Sequence, residues 1–394
     1  MASFQQELSA RASQLAAITP SAEPLVIDNS DTSRYVISNK NVVYEFASNG
    51  SWTAWRVDGV DLLKNTPEYA NYRWVENDGP TEGLYSYSAD NGINSKSAKV
   101  ASVDATGNAV KVTVEAQGNN CNYVFTYTLY NNGIVDMNAS YEARANNMRR
   151  IGMEMVFPEG FNQVNYYARG PWENYNDRHE ASLLGRYTST VADFFEPYPK
   201  PQSMGNREGL RDLTLLNPET NKGIKVETQG SVAFSVLHFD DETLKRAQHT
   251  WELGVNQGDV YAHFDVIQRG VGNGSCGQGT STMDKYRVPS SGTFTYDLRF
   301  SPVGFGDAGI DGIQDDFSDI KIGYNPEAEE LVCVGELTEG TTIALYNMGG
   351  VCLANEVVGQ NTSEIVVSTS GMPHGAYLVV VRNGNMVRNH KVAL

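Results

Sequence analysis

The sequence predicts an all-β chain, with a large antiparallel β-sandwich followed by a small one. Three observations carry this. Short segments in which apolar and polar residues alternate recur from Arg34 onward. Turn residues punctuate them at short intervals, and the 37 Gly and 21 Tyr suit tight turns between half-buried strands. One stretch alone has a clear helical period, Phe4 to about Ala17, which Thr19-Pro20-Ser21 ends. Many short strands with no interleaved helices are the pattern of an antiparallel sandwich.

Taken in order, residues 1–33 read as a lead-in helix and linker. Asn39-Lys40-Asn41 joins Tyr35–Ser38 to Val42–Phe46 as a hairpin, and Asn49-Gly50 is the next turn. Trp52 and Trp55 lie on one strand, and Asp58-Gly59 turns the chain into Val60-Asp61. Tyr72-Arg73-Trp74-Val75 reads as a strand running into the polar loop Glu76-Asn77-Asp78-Gly79-Pro80. Such loops, carried on a rigid sheet, are common places for function. Strands are expected at 99–103, 109–116, 123–130, 134–141 and 153–157, with Asn131-Asn132-Gly133 as a hairpin turn. Further strands are expected at 213–216, 223–228, 232–238, 261–268 and 293–300, with a short helix capped at Asp240.

Between them lies Arg169-Gly170-Pro171-Trp172-Glu173-Asn174-Tyr175-Asn176-Asp177-Arg178, following the strand-like Val164–Tyr167. Gly-Pro imposes a turn. The guanidinium and carboxylate groups can pair side by side or stack on the aromatic rings. Two readings stand: a structural corner, or direct ligand contact through Arg169, Trp172 and Glu173.

Gly270-Val271-Gly272-Asn273-Gly274-Ser275-Cys276-Gly277 follows a strand and implies a wide loop whose backbone approaches something closely. It lacks the helix and the βαβ setting that a nucleotide site needs. Residues 304–316 are Gly- and Asp-rich and read as a linker. Residues 317–394 supply five to seven short strands, which suggest a small immunoglobulin-like sandwich.

Composition narrows the partners. A formal net charge of -17 argues against nucleic acid and anionic membrane surfaces. No apolar run approaches the ~20 residues of a membrane span. Cys121, Cys276, Cys333 and Cys352 are scattered, with no Cys-x-x-Cys pair and no His at metal spacing, so no metal site or cofactor is expected. Free buried thiols are expected, with a Cys333–Cys352 bridge as the alternative. No signal peptide pattern is visible at the N-terminus.

The central motif, with Gly185-Arg186-Tyr187, Tyr198-Pro199-Lys200-Pro201-Gln202 and Gly205-Asn206-Arg207 after it, resembles the C-terminal domain of glycoside hydrolase family 2 β-galactosidases. The resemblance implies a galactose-mutarotase-like supersandwich over residues 34–303. Tyr72 to Gly79 resembles that family's Arg-x-Pro-x-Asp-Asn-Asp loop at the active-site mouth, with Glu76 in place of the first Asp and no proline. Arg149-Arg150-Ile151-Gly152-Met153 resembles its Arg-Ile-Gly strand start. Gly270 to Gly277 resembles its Gly-rich loop, with Cys276 where many members carry a Trp that walls the sugar site. The substrate-binding residues so implied are Asn77, Asp78, Gly79, Asn273, Ser275 and Cys276. Two stretches of the last unit, 340–350 and 371–378, resemble the C-terminal sorting domains of secreted Bacteroidetes proteins. That implies a periplasmic, cell-surface or secreted location.

The family places both catalytic Glu residues on a TIM barrel, and nothing here reads as eight βα units. The chain is therefore expected to be a non-catalytic part that shapes the mouth of a β-galactosidase, with a β-galactoside and the upstream catalytic domains as partners. The alternatives are a stand-alone carbohydrate-binding module, and an aldose 1-epimerase drawing on His238 or His263 with Glu173 or Asp265.

Overall fold

A computed structural model describes residues 23–75, 97–106, 109–118, 120–272, 282–305, 320–326, 328–347, 352–383 and 386–393, and the single positions 5, 15 and 18. The chain divides into two units between Ile310 and Asp311.

The first unit opens with β1 (Val26–Asp28), β2 (Arg34–Ser38), β3 (Val42–Ala47), β4 (Trp52–Val57) and β5 (Val60–Asp61), which form one antiparallel sheet in that order. Asp58 and Gly59 both have positive φ, 47° and 77°, which the two-residue hairpin between β4 and β5 requires. Then come β6 (Asn65–Ala70), β7 (Ser97–Thr106), β8 (Ala109–Gln117), β9 (Cys121–Tyr130), β10 (Val135–Ala143) and β11 (Arg150–Phe157). They are followed by β12 (Gln163–Gly170), β13 (Leu183–Thr190), β14 (Asp212–Leu216), β15 (Gly223–Gln229) and β16 (Ala233–Leu237). Helix α1 (Asp241–Arg246), β17 (Val260–Gln268) and β18 (Gly292–Val303) complete the unit.

Among the described residues, nine strands form a sheet in the order β13-β12-β14-β15-β18-β10-β9-β8-β7. Four more form the order β16-β17-β11-β6. Every pairing is antiparallel. The alternation seen in the sequence is the alternation of burial: β9 has every second residue from Cys121 to Leu129 buried. One core joins these sheets. Phe46 stacks on Trp52 with ring centroids 5.6 Å apart, Tyr127 meets Trp52 edge-on, and Phe264 and Phe300 meet at 6.2 Å.

The second unit is a pair of small antiparallel sheets. One contains β19 (Lys321–Asn325), β20 (Glu330–Leu337) and β23 (Thr362–Ser368). The other contains β21 (Thr342–Asn347), β22 (Cys352–Val357), β24 (Ala376–Asn383) and β25 (Met386–Ala393). Leu331, Ile343, Val379 and Val381 fill the space between the sheets. Cys333 is buried, Cys352 is exposed, and both are free thiols, as is Cys121.

Two expectations need correction or completion, and a third is met. Tyr72–Val75 is not a strand, because the ladder ends at Ala70. The stretch is held by bonds that are not a ladder: Arg73 reaches the Arg269 and Gly270 carbonyls through its side chain, and the Trp74 amide donates to Ser203 Oγ. Edge strand β13 was not expected as a strand, since small polar residues and Gly185 dilute its alternation, which Tyr187 carries onto the core. Asp240 does cap α1, accepting from the Thr243 amide. The lead-in helix falls outside the described residues except at Gln5 and Leu15, and most of the 304–316 linker also lies outside them.

Candidate functional site

Two loops singled out in the sequence, 76–80 and 273–277, lie outside the described residues, and with them Asn77, Asp78, Gly79, Asn273, Ser275 and Cys276. Their roots are described, and these share one scaffold. Arg73, fully buried, donates through Nη1 to Gln268 Oε1 (3.0 Å) and to the Arg269 carbonyl, and through Nη2 to the Gly270 carbonyl (2.8 Å). One guanidinium fork thus ties the stretch before the first loop to the stretch before the second. Arg149 adds a strut, donating to the Arg73 carbonyl at 3.2 Å with its guanidinium 4.9 Å from the Tyr72 ring centroid. The Trp74 amide donates to Ser203 Oγ at 2.8 Å.

The central motif braces the same place from the other side. Asp177 accepts from the amides of Val271 (3.1 Å) and Gly272 (2.8 Å), one carboxylate oxygen each. Asn176 Nδ2 donates to the Gln268 carbonyl at 2.8 Å. Successive amides pointing at a carboxylate form an anion-holding nest, here closed by the chain's own Asp. Gly270 is required by this approach, since a Cβ there would stand 2.4 Å from Asp177 Oδ2.

Glu173 is the hub of the turn. Its Oε1 accepts from Arg178 Nη2 and Tyr198 OH, both at 2.6 Å, and its Oε2 from the Gly205 amide at 2.9 Å and Tyr175 OH at 3.4 Å. Arg169 donates to the Ser182 carbonyl at 3.0 Å. Trp172 differs from both: it is 72% exposed at the tip of the turn, beside a cis Gly170–Pro171 bond. The turn therefore acts as a structural corner through Arg169 and Glu173 while presenting one bare indole.

A second charged cluster joins β11, β17 and the start of α1. Arg150 lies 3.5 Å from both Asp265 and Asp241, and His263 Nε2 lies 3.1 Å from Glu154 and 3.5 Å from Asp241. Burial raises the Asp265 carboxyl above its usual range against the pull of Arg150. Burial likewise raises Glu208 to about 7, opposed by the hydrogen bond from Asn206. His238 Nδ1 sits 3.1 Å from the Asp259 carbonyl. Neither histidine is paired with Glu173 or Asp265 by a hydrogen bond or ion pair among the described contacts.

Residue types and spacing missed the bridging role of Arg73 and the acceptor role of Asp177. A signal for the second existed: Gly270-Val271-Gly272 exposes consecutive amides, which call for an anion. Glu173 and Asp177 already have both oxygens engaged by donors. Chemically the arrangement ties Arg73, Asp177 and the Gln268–Gly272 backbone together and leaves the Trp172 indole exposed.

Residues 38–300 match the family described as β-galactosidase small chain. The chain is 27% identical to the β-galactosidase of Photobacterium profundum over 291 residues, covering 68% of this chain and 27% of that protein. It is 28% identical to the β-galactosidase of Streptococcus thermophilus over 181 residues, 45% of this chain and 17% of that one. The chain thus spans well under a third of the length of either relative. Among solved structures, galactose 1-epimerase from Lactobacillus acidophilus NCFM aligns over 71% of this chain and 98% of its own, at 9% identity and a TM-score of 0.38.

Proposed function

The chain belongs to the β-galactosidase small-chain family, and on that premise we propose that it is a non-catalytic, C-terminal part of a glycoside hydrolase family 2 β-galactosidase that shapes the active-site mouth. On this reading the acid/base and nucleophile lie on a TIM barrel elsewhere in the polypeptide, and this part positions and encloses the sugar. The observation that carries the reading is the shared scaffold, on which Arg73 and Asp177 root both loops. A mouth built from two loops needs their relative position fixed to a fraction of an ångström, and buried charge-assisted bonds supply that.

The proposed substrate contacts are Asn77, Asp78 and Gly79 from one loop and Asn273, Ser275 and Cys276 from the other. Cys276 offers no ring for a sugar to stack on. Trp172, exposed and beside the scaffold, supplies the aromatic face instead. Arg169 and Glu173 serve as positioning residues for it. Residues 317–394 are proposed to act as a sorting domain, placing the protein in the periplasm, at the cell surface or outside the cell.

The test is hydrolysis of a chromogenic β-galactoside, by this chain alone and by the full polypeptide with and without it, beside a galactose anomer-exchange assay. The reading expects no hydrolysis and no exchange by the chain alone, and loss of hydrolysis when the polypeptide lacks it. Hydrolysis by the isolated chain would refute it. Anomer exchange abolished by His263→Ala would establish the epimerase reading in its place.

A further inference from the structure

Residues 206–208 form a seam with the turn at 169–178. The Asn174 amide donates to the Asn206 carbonyl at 2.8 Å, and the Arg169 amide to the Glu208 carbonyl at 2.9 Å. The Glu208 amide donates to Asn174 Oδ1 at 2.9 Å, and Asn206 Nδ2 to the Asn174 carbonyl at 2.7 Å. Asn174 passes the hold on, since its Nδ2 donates to the carbonyls of Trp172 (2.9 Å) and Arg169 (3.2 Å). The seam thus sets the turn that carries exposed Trp172 and brings Asp177 to the amides of Val271 and Gly272.

The Glu208 side chain closes the seam from within. Its Oε1 accepts from Asn206 Nδ2 at 3.1 Å, the same nitrogen that donates to Asn174. Asn206 Oδ1 accepts from Gln268 Nε2 at 3.3 Å, and that nitrogen also donates to Asp265 at 3.1 Å. Glu208 and Asp265 are therefore the two acid ends of one chain of amides. Asp177 is a third acid near Glu208, and Arg169 is a cation that faces it. Arg150 and Arg73 are engaged on Asp265 and Gln268, and the Arg207 guanidinium lies 4.4 Å from the Phe194 ring centroid. Burial raises the Glu208 carboxyl to about 7 against the bond from Asn206, with Asp265 and Asp177 adding to the rise and Arg169 opposing it. The residue as a whole is half-buried, so water is within reach of a small movement.

We propose that this seam is a pH-sensitive latch, which protonated Glu208 keeps shut and ionised Glu208 opens by turning out to water. Opening parts Asn206 and Glu208 from Asn174 and so loosens the turn. Opening is favoured as pH rises, because the closed seam holds the Glu208 proton up to about 7 while the open one releases it near 4.5. With those values the opening constant grows about tenfold between pH 6 and 8. The latch belongs to the fold and stands whether or not the chain completes a glycosidase active site.

The test is hydrogen exchange of the whole chain from pH 6 to 8, resolved to single amides and corrected for the intrinsic pH dependence of exchange. The amides of Arg169 and Asn174 report the seam. Tyr127, on β9 between β8 and β10, reports opening of the whole unit. The seam amides should exchange faster than Tyr127 throughout, with an opening constant that rises about tenfold across the range. This comparison needs no variant. Glu208→Gln, of the same shape and without the charge, should hold the opening constant level with the circular dichroism spectrum unchanged. The proposal is overturned if the seam amides exchange no faster than Tyr127, since they then open only with the unit. It is overturned if their opening does not change with pH, or if Glu208→Gln keeps the pH dependence of the parent. Asp265→Asn abolishing the dependence while Glu208→Gln retains it would also overturn it, by moving the titration to Asp265.

Discussion

Replacing Glu208 by Gln should change how the stability of the first unit depends on pH. Burial raises this carboxyl from the usual 4.5 to about 7. An unfolded chain releases the proton near 4.5, whereas the folded one holds it until about 7. Between those values the folded state binds more protons, so its stability falls as pH rises, and the loss is complete above pH 7. A shift of this size at ~1.4 kcal/mol per pKa unit amounts to about 3 kcal/mol. Gln is neutral and of the same shape, and its carbonyl can still accept from Asn206 Nδ2, which donates to Glu208 Oε1 at 3.1 Å. All five Trp lie between residues 52 and 251, so urea unfolding followed by Trp fluorescence reports this unit alone. The stability of Glu208→Gln relative to the parent should rise with pH from 5 to 8, by up to about 3 kcal/mol. Asp265 is shifted in the same direction, and its charge adds to the rise of Glu208, so the difference reports Glu208 together with its coupling to Asp265. A difference that stays constant across that range would refute the reasoning.

Other perturbations reach the scaffold directly. Arg73→Met leaves the carbonyls of Arg269 and Gly270 and the Gln268 side chain without their donor, at a cost of about 3 kcal/mol in the same urea experiment. Arg73→Lys should recover part of it at most, since an ammonium cannot fork. Gly152→Ala should cost about 3 kcal/mol, because the new Cβ would stand 2.5 Å from the Phe264 carbonyl oxygen and 2.6 Å from Asp265 Cα. Those are backbone atoms of the paired strand and cannot step aside. Native-state thiol labelling at pH 8, read by peptide mapping, should modify Cys352 well before Cys121 and Cys333. Burial pushes the last two thiols up to about 11, so both stay protonated. Equal labelling of all three would show that the strands carrying them open together.

The strands were legible because their signal is local. On β9 and β10, alternation and a bounding turn occur within ten residues, and the turn residues sit where the hairpins need them. Tyr72–Val75 misled for the complementary reason. Aromatic and β-branched residues suggest a strand, yet what holds this stretch is Arg73 reaching carbonyls nearly two hundred positions away. No local pattern can encode such a bond. β13 failed differently: an edge strand has one partner, β12, and its half-buried face is Gly185, Tyr187 and Ser189, of which Tyr187 packs on the core.

The same distinction explains how far the candidate site could be read. Residue types marked the turn at 169–178 as dense in charge and aromatic rings, leaving open whether the groups face a ligand or one another. The structure separates them one by one. Glu173 collects four donors and Arg169 reaches the Ser182 carbonyl, so both are committed to the fold, while Trp172 stands 72% exposed. Charged groups in a motif compete for each other first, because a buried carboxylate left without donors destabilises the fold by more than a weak ligand restores. An exposed indole is under no such constraint, so its place in the turn does not by itself commit it to the fold.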